Sequence, residues 1–191
     1  IDHARPKLLL TASGAIEGTR VLEYKPLVDE GFELAEHQPA HCVILQRDFA
    51  QAQTIPGRDL DWATLEAEAE PADCVSVKAT DPLYVMYTSG TTGMPKGIVR
   101  DNGGHAVALH WSLGNVFGVW ADDVFWAASD VGWTVGHSYT VYAPLLVGCT
   151  TVLYEGKPVG TPDAGAFWRV IGQHGVNVLF TAPTAFRAIR K

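Results

Sequence analysis

The run Tyr87-Thr88-Ser89-Gly90-Thr91-Thr92-Gly93-Met94-Pro95-Lys96-Gly97 gathers the residue types that grip a polyphosphate. Gly90, Gly93 and Gly97 let the backbone turn sharply and approach a ligand, leaving amide N–H groups to face an anion. Thr88, Ser89, Thr91 and Thr92 add hydroxyl donors, and Lys96 adds a mobile point charge suited to phosphate. The string is not the Walker loop GxxxxGK[ST], because Met94 and Pro95 separate Gly93 from Lys96, so a Ras-like mechanism is excluded. The plainer alternative is a Ser/Thr/Gly turn between a strand and a helix, and the density of glycines and hydroxyls argues against it.

A second string, Asp130-Val131-Gly132-Trp133-Thr134-Val135-Gly136-His137-Ser138-Tyr139, has the composition of a pocket wall. A Trp among small residues can close a narrow apolar pocket, and the flanking glycines let a chain or ligand pass close by. A core Trp with packing glycines is the competing reading. His137 reads as part of the wall rather than as a base. His37 and His41 are spaced as a metal pair, but Pro39 between them breaks a shared helical face and no CxxC or HExxH pattern accompanies them, so no metal site is expected. His105 and His110 read as polar or packed residues of a helix, and Glu66, Glu68 and Glu70 as a solvated face.

The elements that must hold these strings alternate. Residues 7–11 and 41–46 read as strands. Between them, residues 24–37 place Leu27, Val28, Phe32 and Leu34 on a helical stripe. Residues 47–78 read as an irregular excursion with a short helix over 62–68. Then come a strand over 83–88, a helix over about 104–117, and strands over 124–128, 151–154 and 178–181, with helices near 136–147 and 164–174. This alternation predicts an α/β chain of βαβ units with a mixed, mostly parallel sheet, whose ligands gather beyond the carboxyl ends of the strands.

Composition narrows the partners. The 191 residues carry 14 basic and 21 acidic side chains, a net charge of −7, with 47% hydrophobic and 18% charged residues. That balance fits a globular chain, excludes an extended phosphate-neutralising surface and hence nucleic acid, and no apolar stretch reaches the roughly 20 residues of a membrane span. Three scattered cysteines, Cys42, Cys74 and Cys149, read as reduced thiols of a cytoplasmic-type compartment, with a lost organellar targeting peptide as the alternative. An Ile at the start and Arg190-Lys191 just after an apolar run read as a piece cut from something longer.

The loop from Tyr87 to Gly97 resembles the signature of the adenylate-forming, AMP-binding superfamily: acyl-CoA synthetases, luciferases and peptide-synthetase adenylation domains. The second string, with Tyr142-Ala143-Pro144-Leu145-Leu146, Tyr154-Glu155-Gly156 and Thr181-Ala182-Pro183-Thr184-Ala185, is similar to the short-chain acyl-CoA synthetases. Arg100-Asp101-Asn102-Gly103-Gly104-His105 and Gly156-Lys157-Pro158-Val159-Gly160-Thr161-Pro162 look closest to the propionyl-CoA synthetases.

The resemblance implies an ATP-dependent acid–CoA ligase with ATP, Mg²⁺ and CoA as cofactors and substrates and a short carboxylate, propionate first, as the acid. Thr88, Ser89, Gly90, Thr91, Thr92, Gly93 and Lys96 would hold the ATP phosphates, Lys96 stabilising charge. Trp133, Thr134, Val135, His137 and Ala182 would line the acyl and CoA channel. Arg20, with Lys25 nearby, falls where the branch places cations for the CoA 3′-phosphate, although Glu17 stands where a second family arginine would be. Thr134 departs from the valine usual in the branch.

The resemblance further implies that the chain is a central portion of the large N-terminal domain, a Rossmann-like part with the excursion over 1–82 and a phosphate-loop and channel part over 83–191. The adenine-contacting segment, ribose-binding Asp, hinge and C-terminal domain with its catalytic Lys are not found, so the chain alone is expected to be inactive. The readings left beside this one are a non-catalytic nucleotide-binding module and another adenylate-forming enzyme, such as acetyl-CoA synthetase or a peptide-synthetase domain.

Overall fold

A computed structural model gives the fold and describes residues 1–89, 93, 95–157 and 159–190. The chain divides into two units, Ile1–Asp73 and Cys74–Lys191. The division falls ahead of the sequence expectation. Residues 74–81 go with the second unit because their backbone is tied into it, Gly103 N donating to Ala79 O at 2.8 Å and Asn102 N to Asp81 O at 3.0 Å.

In the first unit, β1 (Leu8–Ala12), β4 (His41–Leu45) and β5 (Asp59–Asp61) form a parallel sheet in the order β1-β4-β5, with α1 (Lys25–Leu34) on the crossover. Cys42, Val43 and Ile44 are buried because β4 is the central strand, and Phe32 from α1 joins Cys42 and Ile44 with Leu9 and Val28 packed against them. The buried stripe of α1 is narrower than its apolar content predicts. Val28 and Phe32, spaced i,i+4, face the sheet, while Leu27 is 66% and Leu34 76% exposed. Between β1 and α1 lies an antiparallel hairpin, β2 (Gly14–Glu17) with β3 (Arg20–Glu23). The short helix α2 (Trp62–Glu68) forms where expected, capped by Asp61, whose carboxylate accepts from Thr64 N at 2.8 Å.

In the second unit, β8 (Val124–Ala128) lies between β10 (Val178–Thr181) and β9 (Thr150–Thr151), all parallel. Both faces of β8 are covered, which is why its run is continuously apolar. Phe125 and Ala127 pack with Leu109, Leu113, Val119, Ala143 and Cys149. Trp126 packs against Tyr154 and Phe167 at 5.4 and 4.7 Å between ring centroids. A separate antiparallel hairpin joins β6 (Pro82–Thr88) to β7 (Lys96–Asp101).

The strand β7 lies where the sequence reading placed no element between the glycine-rich loop and a helix over about 104–117. Helix α3 (Asn102–Ser112) begins only after β7, with Asp101 as its cap, and runs on as a π-helical turn, Leu113–Phe117, that ends at Gly118 in the left-handed region. The remaining helices are α4 (Thr134–Gly136), the π-helical turn His137–Tyr142, α5 (Ala143–Val147), α6 (Ala166–His174) and α7 (Pro183–Arg190). No helix among the described residues is long and apolar enough to cross a membrane.

Candidate functional site

Strands β6 and β7 are in register from Thr88↔Lys96 at the loop end through Met86↔Ile98 to Tyr84↔Arg100. The glycine-rich loop is therefore the connection of a hairpin, and Thr88 and Lys96 are the pair of residues at its mouth. Thr88 is half-buried, and Ser89, Gly93 and Lys96 are exposed. Gly93 has φ +83°, a conformation that other residues rarely adopt. Gly90, Thr91 and Thr92 lie outside the described residues.

Side chains alternate along β6, so Tyr84, Met86 and Thr88 share one face, half-buried throughout, while Val85 and Tyr87 on the other face are 48% and 40% exposed. The half-buried face meets the second motif. Thr134 Oγ1 donates to Met86 Sδ at 3.6 Å. The Tyr84 ring lies 4.6 Å from His137, edge-on, 5.7 Å from His105, also edge-on, and 5.8 Å from Tyr142, stacked. His105 is buried, and burial lowers its pKa, reinforced by the Arg100 cation and by His137 and opposed by Asp101. Burial likewise pushes the Tyr142 phenol up.

The second motif starts where β8 stops. Asp130 folds the turn, its carboxylate accepting from Gly132 N at 2.7 Å and its carbonyl from Trp133 N at 3.0 Å. Trp133 O then accepts from His137 N at 2.8 Å and opens α4. Gly136 is buried hard against this turn: a Cβ there would overlap the Asp130 carbonyl oxygen and stand 2.9 Å from Ser129 O. Trp133 and Val135 are exposed, Thr134 and His137 half-buried. Strands β8 and β10 pair in parallel with Ala128↔Thr181, so the turn after β8 and Ala182 after β10 leave the sheet at the same end. Thr181 Oγ1 ties the two by donating to Ala128 O at 2.9 Å. This is the carboxyl end of a parallel sheet, the usual place for a ligand.

In the first unit, Arg20 is exposed at the closed end of the β2–β3 hairpin, in register with Glu17. Lys25, which the resemblance sets near Arg20 as a cation for the CoA 3′-phosphate, is instead buried. Its Nζ donates to both Asp29 oxygens at 2.6 and 2.7 Å and lies 3.0 Å from Asp59. Arg58 completes the cluster, donating through Nε to Asp59 at 2.6 Å and through Nη2 to Asp29, with its guanidinium 4.5 Å from the Phe32 ring centre. Burial pushes the Asp59 carboxyl up, but hydrogen bonds from Arg58, Ile55 N and Lys25 outweigh it and hold it below the usual range. Lys25 is thus committed to the fold.

A model of the AMP-binding enzyme family matches residues 1–191, the whole chain. The chain belongs to the AMP-binding enzymes. Within that family it is 57% identical over 192 residues to human acyl-CoA synthetase short-chain family member 3, mitochondrial, covering 100% of this chain and 28% of that protein. It is 46% identical over 193 residues to the propionate–CoA ligase of Salmonella typhimurium, covering 100% of this chain and 31% of the ligase. The fold matches the acetoacetyl-CoA synthetase of Streptomyces lividans with a TM-score of 0.84 at 28% identity, over 99% of this chain and 28% of that one. The chain therefore spans about 28–31% of the length of these relatives.

In this chain a glycine-rich hairpin and a tryptophan-bearing turn meet, and their contact was not read from the sequence. Tyr84, Met86, His105 and Tyr142 make that contact. The alternation Tyr84, Met86, Thr88 along β6 was a legible signal for the first two. Nothing local pointed to His105, whose partners lie on β6 and in the π-helical turn. The Lys25–Asp29 pair, spaced i,i+4 on α1, was also legible.

Proposed function

We propose that this chain is the phosphate-gripping and acid-selecting part of a short-chain acid–CoA ligase that forms AMP. The observation that carries the proposal is one hairpin with Thr88 and Lys96 paired at its mouth and, on the same face, Met86 and Tyr84 against Thr134 and His137. Thr88, Ser89, Gly90, Thr91, Thr92, Gly93 and Lys96 hold the β- and γ-phosphates of ATP. The acid's carboxylate oxygen bonds to the α-phosphorus as the bond to the bridging oxygen breaks, and pyrophosphate leaves. The CoA sulfur then attacks the acyl carbonyl and AMP departs. Such chemistry rests on positioned charge, since the carboxylate is ionised at neutral pH and needs no protein nucleophile. Mg²⁺ enters with ATP as its complex; among the described residues no group of three or more His, Cys, Asp or Glu could hold a metal unaided.

The acid is short, with propionate preferred over acetate and little use of chains beyond about four carbons. Trp133 is the end wall, Thr134, Val135 and His137 complete the pocket, and Ala182 borders the CoA channel. One methylene in an apolar pocket is worth about 1–3 kcal/mol, so discrimination between neighbouring acids is modest. Arg20 contributes a cation to the CoA phosphate. The likeness to a propionate–CoA ligase and to a short-chain acyl-CoA synthetase supports this choice. Free Cys42, Cys74 and Cys149 support a reducing compartment, the cytoplasm first.

The test of the acid pocket is Trp133→Gly in the full-length protein, which should relax acid choice toward longer chains; unchanged acid preference would remove Trp133 from the pocket. The 191 residues alone are proposed not to complete the reaction. Incubating them with ATP, Mg²⁺, propionate and CoA should give no sustained propionyl-CoA, and its accumulation would refute that part of the proposal.

A further inference from the structure

Thr134 is a hydroxyl-bearing residue in the tryptophan-bearing turn, and its hydroxyl already has a partner. It is the first residue of α4, half-buried, between Trp133 and Val135, and its Oγ1 donates to Met86 Sδ at 3.6 Å. A threonine carries a hydroxyl and a methyl of similar size on one carbon, with few allowed χ1 wells. The group that faces the hairpin therefore determines which group is left for whatever lies on the other side. The thioether sulfur is a weak acceptor on an adaptable side chain, able to engage the hydroxyl without demanding a second partner. The same strand holds the other end of the segment: two residues back along β6, on the same face, Tyr84 lies 4.6 Å from His137. Residues 134 and 137 are thus anchored by strand residues 86 and 84, a spacing of about 6–7 Å that suits a single helical turn.

We propose that Met86 is a positioning residue for acid selection, its sulfur holding the Thr134 hydroxyl on the hairpin so that the acyl chain meets the methyl side of Thr134. The inference rests on the acid pocket proposed above. It assigns a role to a strand residue acting through Thr134. Without the sulfur the hydroxyl turns to another acceptor, and a polar group on the acid is the nearest kind a substrate can offer.

Propionate and glycolate test this, because they differ by a methyl against a hydroxyl of nearly equal size. In the full-length protein, Met86→Leu conserves volume and removes the acceptor, so the fold is kept. The ratio of kcat/KM for propionate over glycolate should fall about two- to ten-fold, the equivalent of one net hydrogen bond. In a Thr134→Val background the same Met86→Leu change should move the ratio by less than about two-fold, since no hydroxyl remains to be released. A purely structural role would lower kcat/KM for both acids alike and in both backgrounds, and that result overturns the proposal, as does an unchanged ratio after Met86→Leu alone. Trp133→Gly serves as the separate control. If it leaves acid preference untouched, the pocket reading fails and the role of Met86 fails with it; if it relaxes preference while Met86→Leu does not change the ratio, only the Met86 inference is lost.

Discussion

Gly136→Ala should damage acid selection through the backbone. The added Cβ would overlap the carbonyl oxygen of Asp130 and press on Ser129 O at 2.9 Å, and both are main-chain atoms that cannot swing aside as a flexible side chain does. Overpacking of this kind costs about 1–3 kcal/mol. The chain can relieve it only by moving α4 away from the turn, which stretches the 3.0 Å hydrogen bond from Trp133 N to Asp130 O. Losing that bond adds about 1 kcal/mol, so the local penalty is about 2–4 kcal/mol. A displacement of about 1 Å at a substrate-positioning segment costs about a hundred-fold in rate, so kcat/KM for propionate should fall by that order. The KM for ATP should stay close to its original value, because the Thr88–Lys96 register lies on a different element. Amide exchange at Trp133 and His137 reads the local effect, and steady-state kinetics with the acid and with ATP varied in turn read the functional one. Unchanged exchange and unchanged acid kinetics in Gly136→Ala would show that the tight approach of Gly136 to the turn carries no weight.

Three other outcomes follow from named contacts. Lys96→Ala in the full-length protein should raise the KM for ATP or slow adenylate formation while leaving the order of preference among acids unchanged; a shift in that order with ATP dependence intact would remove Lys96 from the phosphate grip. Asp59→Ala should destabilise by about 3–5 kcal/mol in urea titration, because the side chain is fully buried and its loss leaves Lys25 and Arg58 to share Asp29 alone and Ile55 N without its acceptor, and a change below 1 kcal/mol would contradict this. Because burial and Arg100 lower the pKa of His105 below 6.5 in the fold, its protonated form is disfavoured there. The stability it contributes is complete above about 6.5 and is lost as pH falls through the lowered value, so urea midpoints should drop between about pH 7.5 and 5.5 and drop less in His105→Gln.

Much of the parallel framework was legible because apolar runs mark buried strands. β1, β4, β8 and β10 fall on the expected stretches, and α2 matches through its Asp61 cap. What escaped was pairing and direction. β7 has few apolar residues and one face in solvent, so its antiparallel partnership with β6 left no local pattern, and no strand was read between the glycine-rich loop and the helix after it. The β2–β3 hairpin was missed for the same reason. Leu27 and Leu34 show the limit of a helical stripe read without its partner, since a three-stranded sheet covers only the Val28 and Phe32 side of α1. At the site, the motif residues were readable by type. The ring cluster of Tyr84, His105, His137 and Tyr142 is a product of tertiary packing, and Lys25 shows that a cation placed by motif position can be claimed by a buried ion pair.

The most direct measurement is product analysis with the full-length protein, ATP, Mg²⁺, CoA and a series of straight-chain acids. The account predicts AMP and pyrophosphate formed in step with acyl-CoA, highest kcat/KM with propionate, acetate about 10–200-fold lower as one methylene allows, and little turnover beyond about four carbons. ADP and phosphate as products, acid-independent ATP hydrolysis, or a medium- or long-chain preference would contradict it.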